Sequence, residues 1–546
     1  MTRSTTPAPA KESLLGLAIA TLALASCGGG SGNTSDILPV APMPEQEVAI
    51  NPTVPCTMQG IGAAALSADA HVTVLDVSTG TTGSAASDKQ YCLVKVKVEP
   101  QVNIWVSLPM SAWNGRFRAE GNGVYAGDAQ LGPAVDSIRQ GFVGTKTDTG
   151  HSGFLLSGAF GMLAPGQPNT QLQTDFAYRS EHLMAVIGKQ VAKAFYDQDP
   201  LRSYWYGCST GGRQGLMMAQ RYPNDYDAIV AGAPAIHWDR FQAYQIWPQV
   251  AMKFDAGGPV AIPKQQLATS RAVAACDAAD GVTDGVIGDP RQCTYDPTRD
   301  TQITRASCTS SDNSCLTPGE ASAIQKIWGG ARNTAGNLLW PGVERGADLA
   351  AFAGPAPFPV PIEQARYWVY FDPTWDWNTL TFANYEQFFN DNVKMVGPLM
   401  GTDNPDISKF KARGGKLIMY HGWADNLIMP QGTVQYYQQV QQTVAQSDSF
   451  SRLYMVPGMG HCGSGAGVNE FGQDASGIVA ADAKHDVFRA LMAWSEKGTA
   501  PTSLIASRIE NGAVSRTLPL CPYPQVAKYN GSGSTADAAN YACSAP

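Results

Sequence analysis

Charge is scarce in this chain. Of its 546 residues only 15% are Asp, Glu, Lys or Arg, and Lys and Arg form no block. With 46 acidic and 38 basic side chains and a formal net charge of −8, partnership with nucleic acid or an anionic membrane surface is excluded as a working reading. Long hydrophobic runs are missing too. The one notable run, Leu14 to Ala25, is too short to span a bilayer as a mature helix. There is no internal repeat, which argues against solenoids and propellers. Histidine is limited to seven residues, so few side chains can serve as a base near neutral pH. What is plentiful is apolar surface, at 44% of residues, with 56 Gly and 36 Pro, enough for a large core and unlike a disordered or collagenous chain. Eleven cysteines suggest an oxidising compartment, and the odd number leaves one thiol to explain.

The N-terminus offers the explanation. Residues 1–26 carry Arg3 and Lys11 before the apolar run, the layout of a signal peptide. The run ends Leu24-Ala25-Ser26-Cys27, which resembles a bacterial lipobox with Cys27 as the acylated first residue of the mature chain. An ordinary signal peptide cut near Ser26 is the alternative, with Cys27 incidental. With Cys27 set aside, an even set remains, as a disulfide framework requires. Residues 27–50 are rich in Gly, Ser and Pro and read as a flexible tether. The chain is thus expected to be exported: periplasmic, held at the outer membrane by an N-terminal lipid, or secreted.

Beyond the tether, strand and helix signals alternate. Leu93–Val98, Ile104–Leu108 and Ser203–Tyr206 read as strands and Glu181–Phe195 as a helix. After a stretch of many Pro and Trp with weak periodicity, alternation resumes. Lys416–His421 and Arg452–Val456 read as strands, and Thr433–Val444 and His485–Lys497 as helices. The expected fold is α/β, a mostly parallel sheet built from residues 51–233 and 405–546, with an irregular lid, 234–404, inserted between its halves.

Gly207-Cys208-Ser209-Thr210-Gly211 is a Gly-x-Ser-x-Gly placed between a strand and an apolar helical stretch. Such a turn is too tight for flanking side chains and exposes its serine at the positive end of the next helix. A serine nucleophile needs a base and a group that orients the base. Asp425 follows the strand 416–421, and His461 follows the strand 452–456 in a glycine-rich loop. Ser209, Asp425, His461 is the chain order of α/β-hydrolases. His421, four residues before Asp425, reads as loop packing, and His151 as structural. One oxyanion N–H is expected from Thr210. The second comes from Glu120–Gly127, with Gly123 and Val124 as alternatives.

Cys208-Ser209, Asp425 and His461-Cys462 together resemble the CS-D-HC signature of the tannase and feruloyl esterase family, which includes bacterial hydrolases of mono(2-hydroxyethyl) terephthalate. The resemblance covers nearly the whole mature chain. It implies an α/β-hydrolase core, carboxylic ester hydrolysis and a Cys208–Cys462 disulfide that would fix Ser209 against His461. Local order and the same resemblance favour Cys56–Cys92, Cys276–Cys293, Cys308–Cys315 and Cys521–Cys543. Asp277, Asp280 and Asp284 lie in a Gly-containing stretch whose carboxylates suit a hard cation, though not at EF-hand spacing. The resemblance implies a structural Ca²⁺ held by these three and by the carbonyls of Val282 and Val286, shaping the lid far from the chemistry. In the glycine segment, Asn122 and Val124 depart from the family's longer glycine run.

Residues 352–389 hold 12 aromatic side chains, among them Tyr367, Trp368, Phe371, Trp375 and Trp377, a candidate pocket for a flat aromatic acyl group. The expected partner is a small aromatic ester of feruloyl or galloyl type, acting through an acyl-enzyme. A terephthalate monoester is the alternative, and it needs a cation where 352–389 offers only Arg366. A serine peptidase has no support beyond the triad. A non-catalytic lipoprotein that binds aromatic compounds fits poorly with an intact triad.

Overall fold

A computed structural model describes residues 47–67, 71–85, 87–473 and 479–546. The predicted signal segment 1–26, Cys27 and most of the predicted tether lie outside the described residues. The tether ends earlier than its composition suggests, because Ile50 and Trp113 exchange two backbone hydrogen bonds of 2.8 Å. Among the described residues, no helix is long and apolar enough to cross a membrane.

The centre is a sheet of nine strands: β1 (Val72–Thr81), β2 (Gln90–Val98), β3 (Val102–Pro109), β4 (Arg116–Glu120), β5 (Val143–Thr147), β6 (Arg202–Cys208), β7 (Ala228–Gly232), β8 (Lys416–Gly422) and β9 (Ser451–Val456). They lie in the order β1-β2-β3-β5-β4-β6-β7-β8-β9. From β5 to β9 all neighbours are parallel. β1, β2, β3 and β5 pair antiparallel. The loops 82–89 and 99–101 are too short for the crossover that parallel neighbours need.

Alternation along the strands divides the core. Trp205, Ile229, Leu417, Met419 and Leu453 pack on one face, with α1 (Ser180–Tyr196) and α2 (Thr210–Arg221). Tyr204, Val230, Ile418, Tyr420 and Tyr454 pack on the other, under Phe488, Leu491 and Trp494. Parallel strands buried on both faces need apolar residues at every position, as β7 (AIVAG) has.

Between β7 and β8 the chain leaves the sheet. This insertion contains α3 (Trp238–Ala251), α4 (Ile262–Cys276), α5 (Pro318–Gly329) and α6 (Tyr385–Met400). Its two ends meet where Thr402 donates its hydroxyl (2.9 Å) and its N–H (3.2 Å) to Ile236 O. Its apolar cluster is continuous with Tyr125, Phe176, Ile428 and Met429 of the sheet's loops.

Two helices then complete the core, α7 (Pro430–Thr443) and α8 (Val487–Lys497). α7 starts three residues before its predicted start because Pro430 supplies a preset first-turn φ. α8 starts two residues after His485 because Asp486 caps it, accepting from the N–H groups of Phe488 (2.8 Å) and Arg489 (3.0 Å). All five disulfides pair as expected: 56–92, 208–462, 276–293, 308–315 and 521–543.

Candidate active site

Ser209 sits between β6 and α2 with φ 64° and ψ −124°, a left-handed backbone that L-residues adopt only when their surroundings enforce it. Glycines enforce it here. A Cβ on Gly207 would lie 2.6 Å from the carbonyl carbon of Gly211, and one on Gly212 2.4 Å from Gly232 O. Ser209 N–H donates to Gly232 O at 2.9 Å, which ties the elbow to the end of β7. Among the described residues no side chain caps α2 and Thr210 N–H at its first position has no partner, and the helix's positive end faces the serine.

The loop after β4 packs directly on this elbow, since a Cβ on Gly121 would lie 2.5 Å from Gly211 Cα. Most of its N–H groups are in use. Gly121 donates to Tyr206 O (2.9 Å), Tyr125 to Leu155 O (3.2 Å) and Ala126 to Gly123 O (2.8 Å). Asn122 donates to Gln214 Oε1 and Gly123 to Gln130 Oε1, both at 2.9 Å. Gly123 is therefore engaged elsewhere, which removes it from the two alternatives. Val124, with φ 47°, keeps the one N–H of 121–126 without a partner among the described residues. Its carbonyl accepts the Thr210 hydroxyl at 2.7 Å, so the two free N–H groups belong to residues bonded to each other.

Asn122 departs from a glycine run for a visible reason. Its side chain bonds Thr147 O (3.0 Å) and Gln214 Nε2 (3.2 Å), anchoring the loop to β5 and α2. Gln214 also bonds Glu181, which accepts from Ser180 Oγ at 3.1 Å. Burial raises the Glu181 carboxyl to about 7 despite the nearby Arg213, and burial lowers Arg213 to about 10. Arg213 holds the carbonyls of Ala177 (2.9 Å) and Phe176 (3.1 Å). This buried polar group under the elbow has no local sequence signal, because its members come from β5, α1, α2 and the loop after β4.

Asp425, 1% exposed, follows β8. Its Oδ2 meets His461 Nδ1 at 2.8 Å, and its Oδ1 accepts from the N–H groups of Leu427 (2.8 Å) and Ile428 (3.0 Å). Burial opposes its ionisation, but the charge of His461 and hydrogen bonds from His421 and His461 hold the carboxyl well below the ordinary range. His461 keeps 16% of its side chain exposed, with Nε2 free of protein partners among the described residues. The Cys208–Cys462 disulfide, Cα to Cα 6.0 Å, binds the neighbour of Ser209 to the neighbour of His461. A hydroxyl, an imidazole backed by a carboxylate and two free N–H groups are the parts of an acyl-transfer site.

The aromatic residues of the insertion are largely engaged in packing. Trp368, 3% exposed, donates Nε1 to Gly158 O at 2.9 Å and stacks on Tyr125, centroids 6.3 Å apart. Trp375 stacks between Tyr370 and Phe388, and Trp377 lies under Lys253. Phe371 turns the chain with φ 50° and accepts at its carbonyl from Gly166 N–H, while Tyr367 is half-buried at the edge of the same cluster. Arg366 donates to Trp375 O at 3.1 Å. Trp368 thus belongs to the insertion's core, while Tyr367, Trp375 and Trp377 pack against it half-buried.

In the carboxylate loop, Asp277 accepts from the N–H groups of Asp284 (3.1 Å) and Gly285 (2.8 Å), curling the chain back on itself. Gly281 and Gly285 take left-handed φ values of 90° and 81°. Burial, and then neighbouring carboxylates, raise Asp280 and Asp284, and Arg516 pairs with Asp284. This crowding of acids and carbonyl-bearing turns suits a hard cation, with Arg516 supplying part of the counter-charge. The expected distance from the chemistry is not observed. A Cβ on Gly458 would lie 2.7 Å from Val286 Cγ1, so the loop packs on the segment three residues before His461. Cys308, Asp312 and Cys315 also cluster, but the two cysteines are joined as a disulfide.

Comparison with known proteins agrees with this architecture. A curated relative from Arthroderma benhamiae, named "Probable feruloyl esterase", is 34% identical over 460 residues, covering 81% of this chain and 82% of its own. The crystal structure of an esterase from Aspergillus oryzae superposes with a TM-score of 0.79 at 28% identity, covering 90% of this chain and 99% of the other. Feruloyl esterase B from Aspergillus oryzae superposes with a TM-score of 0.78 at 27% identity, covering 87% and 97%. The family described as Tannase and feruloyl esterase matches residues 89–544, and the chain belongs to that family of carboxylic ester hydrolases.

Proposed function

We propose that this protein hydrolyses esters of aromatic acids, feruloyl or galloyl in type, by a two-step acyl transfer at Ser209. His461 Nε2 takes the proton of Ser209 Oγ as the oxygen attacks the ester carbonyl. Asp425, kept ionised, stabilises the imidazolium. The N–H groups of Thr210 and Val124 receive the developing oxyanion. His461 returns the proton to the leaving alcohol, and water then cleaves the acyl-enzyme through the same base. The carrying observation is the Asp425–His461 contact of 2.8 Å, joined by a disulfide to the elbow that bears Ser209.

Names of relatives support the aromatic acyl class. Arg366, turned to Trp375 O, is not offered to a second carboxylate, which favours neutral acyl groups over a terephthalate monoester. Residues 234–404 serve as the lid over the site. Five disulfides support an exported enzyme, with Cys27 as its lipid anchor. Asp277, Asp280, Asp284 and the carbonyls of Val282 and Val286 would hold a structural Ca²⁺, which would neutralise the crowded acids and stiffen the loop.

Purified enzyme is assayed on methyl ferulate, methyl gallate and the terephthalate monoester. Free acid is released steadily from the first two, and Ser209→Ala abolishes the release. A folded enzyme with intact Ser209 and no turnover on any of the three, or a fully active Ser209→Ala, would overturn the reading.

A further inference from the structure

Asp425 has a second imidazole on the oxygen that faces His461. His421, near the end of β8 and fully buried, places Nε2 3.0 Å from Asp425 Oδ2 and 3.1 Å from Ile428 O. Both neighbours are acceptors, so Nε2 carries the proton. On the other side of the ring, Nδ1 lies 2.8 Å from Thr433 Oγ1 on α7. The Thr433 hydroxyl can donate to Nδ1, which fits the tautomer with the proton on Nε2.

We propose that His421 is a positioning residue for the triad: its Nε2–H, locked by Thr433, orients the Asp425 carboxylate toward His461. The inference rests on the reading of Ser209, Asp425 and His461 given above. Asp425 then receives four N–H donors, from His421 and His461 on Oδ2 and from Leu427 and Ile428 on Oδ1. Four donors match the acceptor capacity of one carboxylate and leave it no rotational freedom. His421 and His461 share the same carboxylate oxygen, Asp425 Oδ2. Among the described residues, the titratable side chains bonded to Asp425 are these two histidines.

The test is full pH–rate profiles on methyl ferulate for His421→Ala, His421→Gln and Thr433→Val, with Ser209→Ala as reference and circular dichroism for folding. Loss of one charge-assisted hydrogen bond predicts that His421→Ala lowers kcat about 10- to 100-fold with KM nearly unchanged. The acid limb of kcat/KM moves to higher pH by roughly half a unit or more, because Asp425 Oδ2 is then left to the His461 Nδ1–H alone. Gln, whose amide N–H can reach the same oxygen, recovers part of both effects. Thr433→Val shifts them in the same direction by less. A purely structural role leaves the acid limb where it was. Folded His421→Ala with unchanged kcat and acid limb, beside inactive Ser209→Ala, overturns the proposal while sparing the triad. An active Ser209→Ala overturns the triad instead. If His421→Ala does not fold, Thr433→Val decides: parental kcat and acid limb overturn the proposal.

Discussion

Removing the Cys208–Cys462 bond separates two roles that a disulfide can play. The bond joins residues 254 apart in sequence, a loop far longer than those of the two disulfides nested inside it, which span 17 and 7. In the chain-entropy account, closing such a loop stabilises the fold by about 5.5 kcal/mol at 25 °C. Unfolding entropy of about 2.1 cal/mol/K per residue over roughly 500 residues converts this to a melting shift of about 5 °C. Elsewhere each partner is well held. Ser209 N–H bonds Gly232 O at 2.9 Å, and His461 bonds Asp425 at 2.8 Å. The fold should therefore survive, but the hydroxyl and the imidazole lose their direct tether to each other. A misplacement of about 1 Å at reacting groups costs on the order of 100-fold in rate. The double variant Cys208→Ala/Cys462→Ala avoids leaving a lone thiol. Its melting by circular dichroism should drop by about 5 °C, and its kcat on methyl ferulate should fall by roughly 100-fold with KM little changed. A lowered melting point with kcat within twofold of the parent would refute the reasoning, leaving the bond as a staple without a catalytic share.

Two further outcomes follow from buried acids. Glu181 keeps its proton to about pH 7 in the folded protein, whereas an unfolded glutamate releases it near about 4.3. The folded state binds more protons across that window, so stability falls as pH rises through it, by at most about 3 to 4 kcal/mol from this group. Glu181→Gln should flatten the dependence of melting temperature on pH between about 5 and 8, and equal slopes in both proteins would count against the account. For the carboxylate loop, adding Ca²⁺ to chelator-treated protein should raise the melting temperature. Asp280→Asn should abolish that rise, and a calcium response that survives the substitution would remove Asp280 from the ligand set.

Much of this was legible in the chain. The elbow is a local event: Gly207 and Gly212 stand where backbones approach too closely for a Cβ, and Gly211 where one would be tight, so composition and spacing suffice to locate Ser209. Asp425 and His461 were legible for a similar reason, since each follows an apolar strand into a loop. Aromatic density in 352–389 is ambiguous by itself, because a burial-seeking side chain has the same signature in a lid core as in a pocket. Trp368 is buried in that core, and Trp375 packs against it half-buried.

The sequence by itself determined the fold class, the elbow that bears Ser209, the chain order of Ser209, Asp425 and His461 and the pairing of cysteines, because each is written in short-range spacing or in a family signature. Only the tertiary structure decided which N–H of the glycine loop is free, what Asn122 does and what His421 is bonded to. Those questions concern the sharing of hydrogen-bond capacity among residues distant in the chain. Gln214 reaches Asn122 across 92 positions, and Thr433 reaches His421 from a different element. A donor's availability depends on every acceptor folded around it, and no local pattern encodes that.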